Sequence, residues 1–168
     1  TIRIPPLVER RERIPLLEEL LAILPGDVRL VIEIKEDERF PRLTDAVVAM
    51  VERAGAGRAR IGISAFEMQT LRRVRELAPG IELSALLRDT GDTLAEARGV
   101  GVNIMCPKAS DVTAELVEEL HSAGYPVRAW GIKGRDEAEM ERLIRIGGDG
   151  MTTDYPDSLA EVLRRLQG

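Results

Sequence analysis

Carboxylates, lysines and a single tryptophan punctuate the short apolar runs of this 168-residue sequence, and their spacing bears on chemistry. In Val31-Ile32-Glu33-Ile34-Lys35 an acidic and a basic side chain stand two residues apart. Residues two apart in an extended chain share a side, so this carboxylate and this ammonium point the same way. Two chemistries are open to them. They neutralise one another as a structural ion pair, or the carboxylate holds a hard divalent cation while the ammonium holds a phosphate oxygen. The other lysines are Lys108, after Ile104-Met105-Cys106-Pro107, and Lys133, after Ala129-Trp130-Gly131-Ile132. Together the three would make an anion site; singly, Lys108 and Lys133 read as solvated loop lysines. Trp130 suits either core packing or the carbon skeleton of a polyol. Phe66 follows the run Ile63-Ser64-Ala65. The lone histidine, His121, lies just before Gly124 and reads as a helix-end residue. Cys106 has no histidine placed to activate it and reads as inert. Arg72, Arg73 and Arg75 read as a solvated helix face.

These side chains need elements to position them. Strand-like runs are expected at Val28–Ile34, Arg60–Ser64, Ile81–Leu87, Val102–Met105, Val127–Ile132 and Asp149–Thr153. Helical spacing occupies Ile14–Leu24, Pro41–Ala54, Glu67–Ala78, Thr93–Arg98, Val112–Ala123, Asp136–Ile146 and Pro156–Leu166. Pro15 fits a first helical turn, Asp111 and Asp136 read as N-caps, and Gly80 and Gly124 as helix stops. Alternating strand and helix imply parallel strands joined by right-handed crossovers. The glycine-rich turn of a dinucleotide-binding sheet is missing after the first strand, and units of even length fit a closed barrel better. The expectation is an α/β fold, a parallel (β/α) barrel of TIM type, with about six of the roughly eight units that a full barrel has. It would form one partial domain over 1–168, with a leading helix region at 1–27 and six βα units at 28–168. Barrel sites gather at the C-terminal ends of the strands, and Glu33, Lys35, Phe66, Lys108, Trp130 and Lys133 all fall on that rim.

Composition narrows the partners. A net charge of -5 and a pI near 5.1 argue against nucleic acid and anionic membrane surfaces, and no apolar run is long enough for a membrane span. One cysteine excludes an internal disulfide framework and fits a reducing, cytoplasmic setting. The chain begins at Thr1 without Met or a signal-like segment, from which a portion upstream is expected.

The ordered blocks Ile14-Pro15-Leu16-Leu17-Glu18-Glu19, Ile32-Glu33-Ile34-Lys35, Ile63-Ser64-Ala65-Phe66, Ala129-Trp130-Gly131-Ile132 and Gly147-Gly148-Asp149-Gly150-Met151-Thr152-Thr153-Asp154-Tyr155-Pro156-Asp157 resemble the glycerophosphodiester phosphodiesterase family. The resemblance implies a barrel hydrolase that cleaves glycerophosphodiesters to glycerol 3-phosphate and an alcohol with calcium or magnesium. By it, Glu33 matches a carboxylate metal ligand, Lys35 a phosphate-contacting lysine and Trp130 a residue lining the glycerol side of the pocket. Phe66, Lys108 and Lys133 join the substrate side of that rim. The family's Thr-Val-Asn after its tryptophan is replaced by Gly131-Ile132-Lys133. Its His-Arg-Gly, paired acidic ligands and His-Asp pair are not in this sequence, so no catalytic residue is assigned. The expectation is the substrate half of a site, inactive alone and weak or empty for the metal, with glycerophosphodiester or glycerol 3-phosphate as ligand and open barrel edges that self-associate. The alternative is a non-catalytic domain of the same barrel that binds phosphate-bearing ligands or partners.

Overall fold

The computed structural model describes residues 13–35, 42–54, 60–88 and 92–168. Strands and helices alternate as α1 (Leu17–Ile23), β1 (Leu30–Glu33), α2 (Leu43–Arg53), β2 (Ile61–Ala65), α3 (Met68–Leu77), β3 (Glu82–Leu87), α4 (Asp92–Val100), β4 (Ile104–Pro107), a short 3-10 turn (Ala109–Asp111), α5 (Ala114–Ser122), β5 (Arg128–Ala129), α6 (Glu137–Arg145), β6 (Gly150–Met151) and α7 (Pro156–Gln167). β1 to β4 pair in parallel in chain order, as do β5 and β6. Bridges at Met105↔Val127 and Lys108↔Trp130 carry the same parallel pairing from β4 to β5. Among the described residues the result is a run of six parallel strands, an incomplete (β/α) barrel. Among the described residues β1 and β6 each have a strand neighbour on one side only.

The register decides which residues face the helices. Ile63, Leu83, Met105 and Val127 are fully buried against Val51, Leu71, Val74, Leu120, Met140 and Leu143, and this layer between strands and helices is the core. In α3, Met68, Leu71 and Val74 repeat at helical spacing on the buried side, while Arg73 grips both Asp45 oxygens at 2.9 and 3.1 Å and ties α3 to α2. Arg75 is more than a solvated residue. Its guanidinium donates to the carbonyls of Pro79 (2.6 Å), Ile81 (2.9 Å) and Gly101 (2.6 Å), fastening the turn after α3 to the end of α4.

The helix ends differ in part from the sequence expectation. Asp136 caps α6 by accepting the Glu139 N–H at 3.0 Å, and Gly124 stops α5 with a φ of +85° that favours glycine. Asp111 caps nothing. It closes the 3-10 turn, and Thr113, two residues on, caps α5 through the Leu116 N–H at 3.2 Å. α1 begins at Leu17 because Leu16 is extended, which leaves Pro15 ahead of the helix. Gly80 lies in the turn after α3, two residues past its Ala78 C-cap. β5 and β6 are shorter than their apolar runs. Gly131 takes a φ of +84°, which no extended strand accommodates, and β6 pairs only with β5. Pro41, the expected start of the second helix, lies outside the described residues.

Candidate functional site

The C-terminal ends of the strands enclose a depression of about 610 Å³, within the range of small-molecule sites. Glu33 and Lys35 enter it from β1 and the residues after it, Ser64 and Phe66 from β2, Leu86 from β3, Arg128 and Trp130 from β5, and Thr152 and Thr153 from the segment after β6. Strand alternation explains the set. Ile32 and Ile34 turn toward the helices, and Ile34 is buried there, so Glu33 and Lys35 turn inward.

The aromatic wall is held firmly. Phe66 and Trp130 meet edge to face, with ring centroids 5.0 Å apart at 88°. The Trp130 indole N–H donates to the Leu87 carbonyl at 3.1 Å, and its backbone continues the ladder to β4 through Trp130 N–H to Pro107 O (3.0 Å) and Ala109 N–H to Trp130 O (2.7 Å). Arg88 lies 4.4 Å from the Phe66 ring centre and bonds Glu67 at 2.9 Å, closing that flank. The ion pair between Lys35 Nζ and Glu33 Oε1 exists, at 3.5 Å, with the lysine side chain 77% exposed.

Lys108 and Lys133 stand elsewhere on the rim. They line a second depression of about 400 Å³ with Ser110, Asp136, Glu139 and Arg142. Gly131 borders both depressions. Two carboxylates stand beside the two lysines there, and Arg142 is committed to Glu139 and to the carbonyls of Ala109 and Val112. The sequence places three lysines on one rim; the structure divides them between two depressions.

His121 sits at the opposite end of the strands. Its Nε2 lies 2.7 Å from Asp149 Oδ2, which also accepts the Val127 N–H at 2.7 Å. Burial works to raise the Asp149 pKa, but these two hydrogen bonds outweigh it and hold the carboxyl below the usual aspartate range. The pair fastens the starts of β5 and β6. Cys106 is buried, and burial pushes its thiol pKa up although Arg128 and Ser84 bond it, so it is a poor nucleophile.

A calcium or magnesium ion takes six or more oxygens, several of them carboxylate. Among the described residues Glu33 is the one carboxylate lining the larger depression, and it faces an ammonium. No cluster of three or more His, Cys, Asp or Glu able to hold a metal occurs among the described residues. The donors among the described residues do not fit such a centre. No helix among the described residues is long and apolar enough to cross a membrane.

Sequence comparison matches residues 3–158 to the Glycerophosphoryl diester phosphodiesterase family. The chain belongs to this family. A glycerophosphodiester phosphodiesterase of Caldanaerobacter subterraneus subsp. tengcongensis is 29% identical over 160 residues, which is 92% of this chain and 63% of that protein. A Silicibacter pomeroyi crystal structure assigned as a glycerophosphoryl diester phosphodiesterase superposes with a TM-score of 0.79 at 28% identity, over 90% of this chain and 56% of that one. An Oleispira antarctica phosphodiesterase, solved with the product sn-glycerol-3-phosphate, shares the fold with a TM-score of 0.73 at 20% identity, over 81% of this chain and 55% of that one. The chain thus spans less than two thirds of these relatives. Sequence reasoning missed Arg128 in the larger depression; its signal was the two-residue spacing from Trp130.

Proposed function

We propose that this chain supplies the substrate-holding half of a glycerophosphodiester phosphodiesterase site and is inactive in hydrolysis alone. One observation carries the reading: an exposed ammonium and a fixed aromatic pair line the same depression at the strand ends. Lys35 places positive charge beside a phosphodiester oxygen. The faces of Phe66 and Trp130 give the glycerol carbons an apolar surface, and Thr152 and Thr153 offer hydroxyls within the same walls. Lys108 and Lys133 flank this ligand across Gly131 and add attraction at longer range. Glu33 donates one carboxylate toward a divalent cation and needs further carboxylates beside it before an ion is held. Family membership supports this substrate class, as does the product that the Oleispira antarctica protein was solved with.

Inactivity rests on proton transfer. Attack of water on phosphorus needs a base, and expulsion of an alkoxide needs an acid. The sequence has one histidine, and that residue is bound to Asp149 away from the depression. The same fact supports a second reading, a non-catalytic member of the family that binds phosphate-bearing ligands.

Heteronuclear NMR of the chain titrated with sn-glycerol 3-phosphate tests the proposal. Shifts should centre on Lys35, Phe66 and Trp130. Shifts confined to Lys108, Ser110 and Lys133, or none at all, would overturn it.

A further inference from the structure

Arg128 projects from β5 into the depression without a carboxylate partner. Its guanidinium is permanently charged, and among the described residues it makes no ion pair. Its guanidinium donates to the Cys106 thiol, a weak acceptor, and its Nε–H is buried without an acceptor. The candidate counter-charge among the described lining residues, Glu33, is paired with Lys35. Among these described side chains Lys35 and Arg128 bring two positive charges against the one negative charge of Glu33. A half-buried, unneutralised guanidinium is costly to keep. A Cβ at Gly150 would stand 3.4 Å from the Arg128 Cγ, an ordinary contact distance, so the arginine stem lies beside β6.

The geometry points to Arg128 as a second cationic binding residue, one that receives a phosphate-type oxyanion together with Lys35. This inference rests on the proposed substrate reading and deepens it. A guanidinium offers paired N–H donors in a fork that matches two oxygens of one phosphate. Turning Nε–H and one terminal N–H toward the ligand would satisfy the buried donor and neutralise the charge in one event. Two oxyanion sources fit that chemistry, free phosphate and the phosphate of a glycerol ester, and the ligands used below separate them.

The test uses the full chain, with inorganic phosphate, sn-glycerol 3-phosphate and glycerophosphocholine as probes. Binding is read by calorimetry and by the fluorescence of Trp130. Arg128→Gln should weaken phosphate binding about 10- to 100-fold, since hydrogen bonds to charged groups are worth that much, and Arg128→Lys should fall between. Stronger binding of the glycerol esters than of inorganic phosphate assigns the site to the ester; equal binding assigns it to the free anion, with Arg128 required in both cases. Thermal melting guards against a folding artefact. In phosphate-free buffer Arg128→Met should melt no lower than the parent chain, because it removes an unpaired charge. In phosphate only the parent should gain. Parent-like binding in Arg128→Gln, or an Arg128→Met variant that melts lower with no phosphate effect in either protein, overturns the inference and makes Arg128 a prop for Cys106. Lys35→Ala separates the two proposals. Loss of binding in that variant with none in Arg128→Gln leaves the substrate reading standing and removes this one, and the reverse pattern retains Arg128 and removes Lys35.

Discussion

Replacing Lys35 by Ala distinguishes a structural ion pair from a ligand-holding one, because the two roles differ in size. The Lys35–Glu33 pair spans 3.5 Å and its lysine is 77% exposed. Two unit charges at that separation attract by roughly 1.2 kcal/mol in bulk water. Salt screening and the entropy of fixing a long side chain reduce this to about 0–0.5 kcal/mol, in line with exposed pairs generally. For a chain of this size that is a melting shift of about 2 °C or less. A charge-assisted bond from the same ammonium to a phosphate oxygen is worth about 1.5–3 kcal/mol, or some 10- to 100-fold in affinity. The assay is a titration with sn-glycerol 3-phosphate followed by Trp130 emission, at about 20 and 200 mM salt, beside a thermal melt of each protein. Lys35→Ala should lose binding and keep its melting temperature, and the parent's affinity should fall as salt rises. A variant that melts more than about 4 °C lower and binds as the parent does would refute the assignment and leave a structural pair.

Three other outcomes follow from the packing and the charges. Leu71 is fully buried beneath α3, so Leu71→Ala should cost about 2–5 kcal/mol in chemical denaturation; a loss below 1 kcal/mol would show that this layer collapses around the gap. The Asp149 carboxyl is held below its ordinary value of 3.8 in the folded chain. Its contribution is therefore complete above that value and is lost as pH falls through the lower, folded one. The melting temperature of the parent should drop more steeply below about pH 4 than that of Asp149→Asn, and parallel curves would show that the carboxylate contributes nothing. The strands β1 and β6 each lack a second neighbour among the described residues, and Val28 and Val31 are exposed. Such edges template pairing, so light scattering should show association that grows with concentration and weakens in Val31→Lys; a concentration-independent monomer would contradict this.

Much of the fold was legible because its signals are local. Met68, Leu71 and Val74 announce a helix by spacing alone, and the rigid needs of Asp136 and Gly124 mark helix ends without help from the rest of the chain. Asp111 was misleading because a short 3-10 turn competes for the same residues, and only Thr113 reaches the N–H that needs an acceptor. In the site, two-residue alternation placed Glu33 with Lys35. Lys108 and Lys133 were harder. Both lie on the rim, but the turn at Gly131 directs Lys133 to a different depression, which Lys108 also lines, and a turn's direction is not written in residue types. Arg128 carried a signal, its two-residue spacing from Trp130, but that spacing places it inward only once Trp130 is known to line the mouth, which the bridges at Val127 and Trp130 set. Arg75 read as solvated because its three carbonyl partners lie off its helix, in the turn after α3 and just past α4.

The central claim, that this chain holds a glycerophosphodiester without cleaving it, is tested most directly by phosphorus NMR. Glycerophosphocholine is incubated with the purified chain, with and without calcium or magnesium, and its resonance is followed. The account predicts a diester signal that shifts or broadens with added protein, returns with excess salt, and never converts. Growth of a glycerol 3-phosphate signal would contradict it, and so would a diester signal that the protein leaves untouched.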